Sequence, residues 1–349
     1  MRFRVCLLMA ALASPIGYAQ APPASPAHVL HALFDREWEW ELTQDPLWAS
    51  YLGDRRWNDR WPDISAATLA AQQAHRESVL KDLAAIPRDQ LPPADRLNYD
   101  LFRHQYQMTV EGFQHRQHLI RTSTLNGVQG TEFVVDSLRF QTVKDFEDWL
   151  ARLDAFPAYM DQNIALMREG MKTNVLLPKI IAERVRPQIA QLATQPPNES
   201  GYYRPFRSIP GSIAAADRQR LANAAVEKVR TRVQPAFAQL LEFMDREYLP
   251  ASYDGVGWWR TSSGLAGYRY FARYYTTTDM APQDIHALGL KEVARIRGEM
   301  EAIKKQVGFT GTLEEFFTYL RTDPKFFYKT GEELLDGYRV VAKLSLIHI

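Results

Sequence analysis

Cysteine is almost absent from this sequence: the one thiol in 349 residues is Cys6, inside an apolar run near the N-terminus. Met1-Arg-Phe-Arg4 is a short basic region, Val5 to Ala13 is apolar, and Ala19-Gln-Ala21 places small residues where signal peptidase reads them, so residues 1–21 are expected to be a secretory signal peptide. No lipobox precedes Cys6, which argues against lipidation. Cleavage after Ala21 removes the thiol, and a chain starting at residue 22 then has no disulfide, no cysteine-based zinc site and no cysteine nucleophile. Long apolar runs are also missing. Val5 to Ala13 is too short to span a bilayer, so no membrane association is expected after cleavage. Charge of one sign is not in excess either: 42 Lys and Arg face 41 Asp and Glu, which excludes the basic field that nucleic acid or an anionic membrane would require. Finally, period-two alternation is hard to find over any useful length, which leaves little room for a sheet.

What is present is helical periodicity, and the fold class expected is all-α with at most a short strand or hairpin. Ser65 reads as the N-cap of a helix to about Ile86, and Pro92-Pro93 opens another that carries Leu97, Leu101, Tyr106 and Val110. Leu221, Ala225, Val229, Val233, Phe237, Leu240, Met244 and Tyr248 form one apolar stripe, with Pro235 predicted to kink its helix. Pro282 opens a helix whose core face is predicted to be Ile285, Leu288, Ile296, Met300, Ile303 and Val307. Capping signals stand at Thr312 to Glu315 and at Thr330 to Glu333. Thr194 to Gly211, rich in Pro and Gly, is the longest loop-like segment and is expected to be an excursion within one domain. At 46% hydrophobic and 24% charged residues, the composition supports a packed core.

Several residue groups invite a chemical reading. Glu111, His115 and His118 stand at i, i+4 and i+7, one face of a helix, but three consecutive turns spread them over roughly 10 Å, too far for one zinc ion, so a solvated face is expected. His28 and His31 are read the same way. Ser78-Val-Leu-Lys81 and Lys329-Thr-Gly331 match short penicillin-binding-protein motifs, without the Ser-Asp-Asn and the sheet those enzymes need. Trp38, Trp40, Trp48, Trp57 and Trp61 cluster in 24 residues; exposed indoles would make a sugar or peptide platform, and core packing is the reading preferred. Arg204 and Arg207, in the long loop, could capture a carboxylate, and solvated surface arginines are expected instead. Tyr268 to Thr278 is the most strand-like segment. As an edge strand it would take up a peptide backbone, with Tyr268, Arg273, Thr276 and Thr277 as substrate-binding residues; a helix or buried connector packing its aromatic rings is the competing reading. No catalytic and no metal-ligating residue is assigned within the chain.

Tyr274 to Ile296, with Val307-Gly-Phe309, Leu320 to Pro324 and Thr330 to Tyr338, resembles the bacterial secreted proteins grouped as domain of unknown function 885, and Leu52-Gly-Asp54 and Leu125 to Val128 extend the likeness. The resemblance implies a large α-helical zinc metallopeptidase acting on peptides in the periplasm or outside the cell, with a His-Glu and Gly-His-His signature further toward the C-terminus than this chain reaches. It leaves this chain with no cofactor of its own and expects zinc only for a longer parent. Ala281 departs from the Thr that family members tend to place before Pro282. The final Leu344-Ser-Leu-Ile-His-Ile349 matches a translated sequencing adaptor. Residues 22–343 are accordingly expected to be the N-terminal portion of a single helical domain that continues beyond the fragment, itself inactive. A non-catalytic periplasmic peptide- or ligand-binding protein is the alternative.

Overall fold

The computed structural model describes residues 25–347; the signal-peptide assignment to residues 1–21 and the end of the adaptor match, His348 and Ile349, lie outside them. Among the described residues there are 14 α-helices and no strand, only isolated bridges between Thr122 and Gly127 and between Pro178 and Tyr253. The all-α expectation holds. The helices form two compact units, one running to Tyr268 and the other starting at Arg269.

In the first unit, α1 (Pro26–Gln44), α2 (Pro46–Tyr51), α3 (Ala66–Ala84) and α4 (Pro93–Phe113) precede α5 (Val143–Asp154), α6 (Phe156–Lys172) and α7 (Lys179–Thr194). Local chemistry sets the boundaries. Asp45 closes α1 and opens α2, its carboxylate accepting from the Leu47 and Trp48 amides. Ser65 caps α3 through the Thr68 amide as predicted, and Thr142 with Asp145 makes a reciprocal capping box on α5. α1, α3 and α4 enclose a small core of Leu30, Leu33, Val79, Leu83 and Tyr99. The main core lies between α5, α6, α7 and a long rod, around Phe146, Trp149, Phe156 and Phe237.

That rod is α8 (Ala215–Lys228), α9 (Gln234–Phe243) and α10 (Leu249–Ala251), joined by π-helical turns at Val229–Val233 and Met244–Tyr248. All eight residues of the predicted stripe are buried. Their steps of mostly four exceed the 3.6 residues of an α-turn, so a plain α-helix would rotate the stripe out of the core; the wider π-turns absorb the drift. Each also ends two residues before a proline, Pro235 or Pro250. A widened turn therefore accommodates the ring and the missing N–H at each proline.

The Pro- and Gly-rich stretch from Thr194 to Gly211 is part of the core. Its 3₁₀ segment Gly201–Arg207 buries Tyr202 and Phe206; the Trp149 indole donates to the Tyr202 carbonyl at 2.9 Å, and the Tyr202 hydroxyl meets Thr131 Oγ1 at 2.8 Å. Burial lifts the Tyr202 phenol well above its ordinary pKa.

α11 (Gly264–Thr276) spans the division between the units. The second unit continues with α12 (Pro282–Gln306), α13 (Leu313–Thr322) and α14 (Gly331–Ile347). Thr312 and Glu315 form the predicted capping box, and the Glu333 amide donates to Thr330 Oγ1 at 3.2 Å. Ala281 caps α12 with no side-chain bond, as an alanine must. Phe309, Phe316, Tyr319 and Phe326 pack as a ring cluster at centroid distances of 5.2–5.3 Å. The predicted core face of α12 is a correction: Leu288, Ile296, Met300, Ile303 and Val307 are exposed, and the helix has no buried residue. An apolar stripe marks the face a helix would bury but does not supply the cover.

Candidate functional site

Two concavities in the first unit bring polar groups together. One, about 680 Å³, lies where the start of α3, the chain following α4 and the middle of α6 converge. Ile64, Leu69, Leu119 and Leu166 give it an apolar lining, and Arg116, His118 and Glu169 stand among its polar groups with Ser65, Gln114 and Gln162. α4 stops at Phe113, and Arg116 takes a left-handed backbone at φ 54°, turning the chain so that the His118 ring stacks on Phe113 at 4.7 Å with planes 9° apart. Burial, helped by repulsion from Arg121 and Arg116, pulls the His118 pKa down to about 4, so the imidazole is neutral at physiological pH.

The other concavity, about 590 Å³, opens between α1, α2 and α4. Glu37 is buried at its base. Its carboxylate accepts from the Tyr106 hydroxyl at 3.0 Å and from Arg36 Nε at 3.1 Å, and it meets His75 Nε2 at 2.7 Å. Burial and the Glu37 charge together raise the Tyr106 pKa far above that of a free phenol. His75 in turn stacks on Trp40 at 3.9 Å.

The residues singled out from the sequence fare differently. Tyr268, Arg273 and Thr276 lie on α11 and Thr277 just after it, so this segment offers no strand edge, and the helical alternative is the one found. Tyr270 with Tyr274 and Phe271 with Tyr275 pair their rings one turn apart, which favours a helix over the strand that aromatic content alone suggests. At 100° per residue, Tyr268 and Arg273 stand 140° apart around that helix. The Thr276 hydroxyl donates to the Ala272 carbonyl at 2.8 Å, and Thr277 takes a left-handed backbone at φ 55° that ends the helix.

Glu111, His115 and His118 do not share a helix, because α4 ends between the first and the second; His115 is buried, with Nδ1 2.8 Å from Ser263 Oγ. His31 Nε2 pairs with Asp95 at 2.9 Å. Among the described residues no group of three His, Cys, Asp or Glu side chains could hold a metal ion, so the residues present do not fit the zinc that the family resemblance implies. Of the tryptophan cluster, Trp61 is core, stacked on Tyr159 at 5.0 Å, whereas Trp38 and Trp48 are exposed, which corrects the preference for core packing at those two. Arg204 pairs with Asp136 at 2.9 Å, tying its segment to the 3₁₀ stretch Val128–Ser137, and Arg207 donates to the Glu199 carbonyl at 2.8 Å, bracing its own segment.

Residues 46–344 match the family described as "Bacterial protein of unknown function (DUF885)". The chain belongs to DUF885. A solved structure, that of a "putative lipoprotein" from Colwellia psychrerythraea, is similar in fold at a TM-score of 0.82 and 19% identity, over 92% of this chain. The chain spans 59% of the length of that protein. No curated protein matches it.

Sequence reasoning about this DUF885 chain missed Glu37, His75 and Tyr106. A signal for the first was present: Leu30, Leu33 and Glu37 step by three and four along α1, so the carboxylate occupies the next position of an apolar stripe. His75 and Tyr106 come from other helices and carry no such mark. No described helix is long and apolar enough to cross a membrane.

Proposed function

We propose that this chain is the helical N-terminal part of an exported, periplasmic or secreted, zinc-dependent peptidase-like hydrolase, in which these helices bind peptide and the metal belongs to a part of the parent outside the chain. The single observation that supports this reading is the family match over residues 46–344. Because the residues present do not fit zinc, no catalytic step is assigned to any of them. The 680 Å³ cleft is the place for an apolar peptide side chain, with His118 as a neutral hydrogen-bonding group and Arg116 and Glu169 for backbone or termini. Contacts by Tyr268, Arg273, Thr276 and Thr277 come, in this reading, from α11 and the residue after it rather than from a strand. The same cleft also suits the second reading, a non-catalytic peptide- or ligand-binding protein of the same compartment.

The test is to follow the source gene past Lys343 and assay both products. A longer frame containing His-Glu and Gly-His-His, whose product cleaves peptides and stops in EDTA while residues 22–343 neither cleave nor retain zinc, is the expected result. A longer frame without those residues gives the binding protein its place. Metal-dependent cleavage by the short chain, or cleavage by the long product that survives EDTA, refutes the proposal.

A further inference from the structure

The second concavity has a composition of its own. Trp38 and Trp48 present indoles that are 53% and 45% exposed beside the buried Glu37. The Trp48 ring is held by stacking on Tyr51 at 5.3 Å with planes 15° apart, so it is a fixed flat face rather than a loose side chain. Across the opening, Gln105 on α4 adds an amide that both donates and accepts, and Thr109, whose hydroxyl donates to the Gln105 carbonyl at 2.9 Å, adds an acceptor.

The charges decide what this surface can take. Glu37 accepts from Tyr106 at 3.0 Å and from Arg36 at 3.1 Å, a guanidinium it shares with Asp82, and Glu41 pairs with Arg76 at 3.4 Å. Arg76 also lies over Trp40 at 5.2 Å, occupying that ring as a cation–π partner. Each carboxylate already has its own partners, so an organic cation would find them engaged, and the surplus of carboxylate over guanidinium in the lining would repel an anion. A purely apolar ligand would strip water from Glu41, Arg76 and Gln105 without replacing their hydrogen bonds. What remains is a neutral ligand with an apolar face to lie on indole and a hydroxylated rim to engage paired charges and an amide. We propose that this pocket binds a neutral oligosaccharide, its sugar rings stacked on Trp38 and Trp48 and its hydroxyls bonded to Glu41, Arg76 and Gln105. The proposal is independent of the peptidase reading, which uses the other cleft.

Calorimetric titration of the purified chain with cellotetraose, maltotetraose and chitotetraose, and with tetramethylammonium as a cationic probe, tests it. Saturable binding of at least one sugar is expected. Trp38→Ala and Trp48→Ala, both at exposed positions that the fold does not need, should each weaken binding by about tenfold or more, while Trp259→Ala, an exposed indole elsewhere, leaves it unchanged. Gln105→Ala should also weaken binding and guards against an effect confined to indole loss. Saturation by none of the three sugars, equal affinity in the Trp38 and Trp48 variants, or binding of tetramethylammonium in place of sugar would each overturn the proposal.

Discussion

Acid should weaken the first unit through His118. Folding holds this imidazole at a pKa of about 4, against 6.5 in the unfolded chain, chiefly because burial removes its water and secondarily because Arg121 and Arg116 repel its proton. The unfolded state therefore binds a proton that the folded state refuses between those values. Its contribution to stability is complete above about pH 6.5 and is lost as pH falls toward 4. At pH 5.0 the undiscounted loss is about 2 kcal/mol; partial exposure of the ring lets solvent screen the effect, leaving about 1 kcal/mol. His118→Phe keeps a ring to stack on Phe113 and removes the titration. Urea unfolding of both proteins at pH 7.5 and 5.0 makes the measurement, since all other groups cancel in the difference between them. The parent chain should lose about 1 kcal/mol more than the variant on acidification. Equal losses would refute the burial argument, and a greater loss in the variant would reverse its sign.

Glu37→Leu should cost about 2–4 kcal/mol in urea unfolding, because Tyr106, His75 and Arg36 lose their shared acceptor, and Glu37→Gln should cost less. Gly127→Ala should destabilise by about 2 kcal/mol or more, read as a fall in Tm: its φ is 144°, and a Cβ there would stand 2.7 Å from the Thr122 Cα and 2.8 Å from the Arg121 carbonyl oxygen. Leu335, Tyr338 and Val341 on α14 are exposed, so the purified chain should bind the dye ANS and self-associate in sedimentation, and Leu335→Glu with Val341→Glu should reduce both.

The fold was legible wherever one segment carried its own signal. Ser65, Pro93, Thr312 and the stripe from Leu221 to Tyr248 each state a boundary or a face locally, and each is found in place. What failed did so for want of the partner. The stripe on α12 looks like any core stripe until its neighbours are known. The loop-like stretch from Thr194 to Gly211 gives no sign of its core residues, because Trp149 and Thr131, more than 50 residues away in sequence, hold Tyr202 inside. The candidate sites were hidden for the same reason. Glu37, His75 and Tyr106 come from three helices, and His118 owes its pocket to a left-handed turn at Arg116, a residue type that gives no hint of one.

The π-turns at Val229–Val233 and Met244–Tyr248 fix the length of the rod as well as its winding. Each holds one residue beyond an α-turn. The extra residue is what each turn absorbs, so removing one from the first turn and restoring ordinary winding would leave Phe237, Leu240, Met244 and Tyr248 facing the core, whereas removing one from the plain α-helical stretch of α9 would swing everything beyond it by about 100°. Loss of a residue is thus absorbed at the two π-turns and disruptive between them. Homologous chains that differ in length between Leu221 and Tyr248 should differ at Val229–Val233 or Met244–Tyr248.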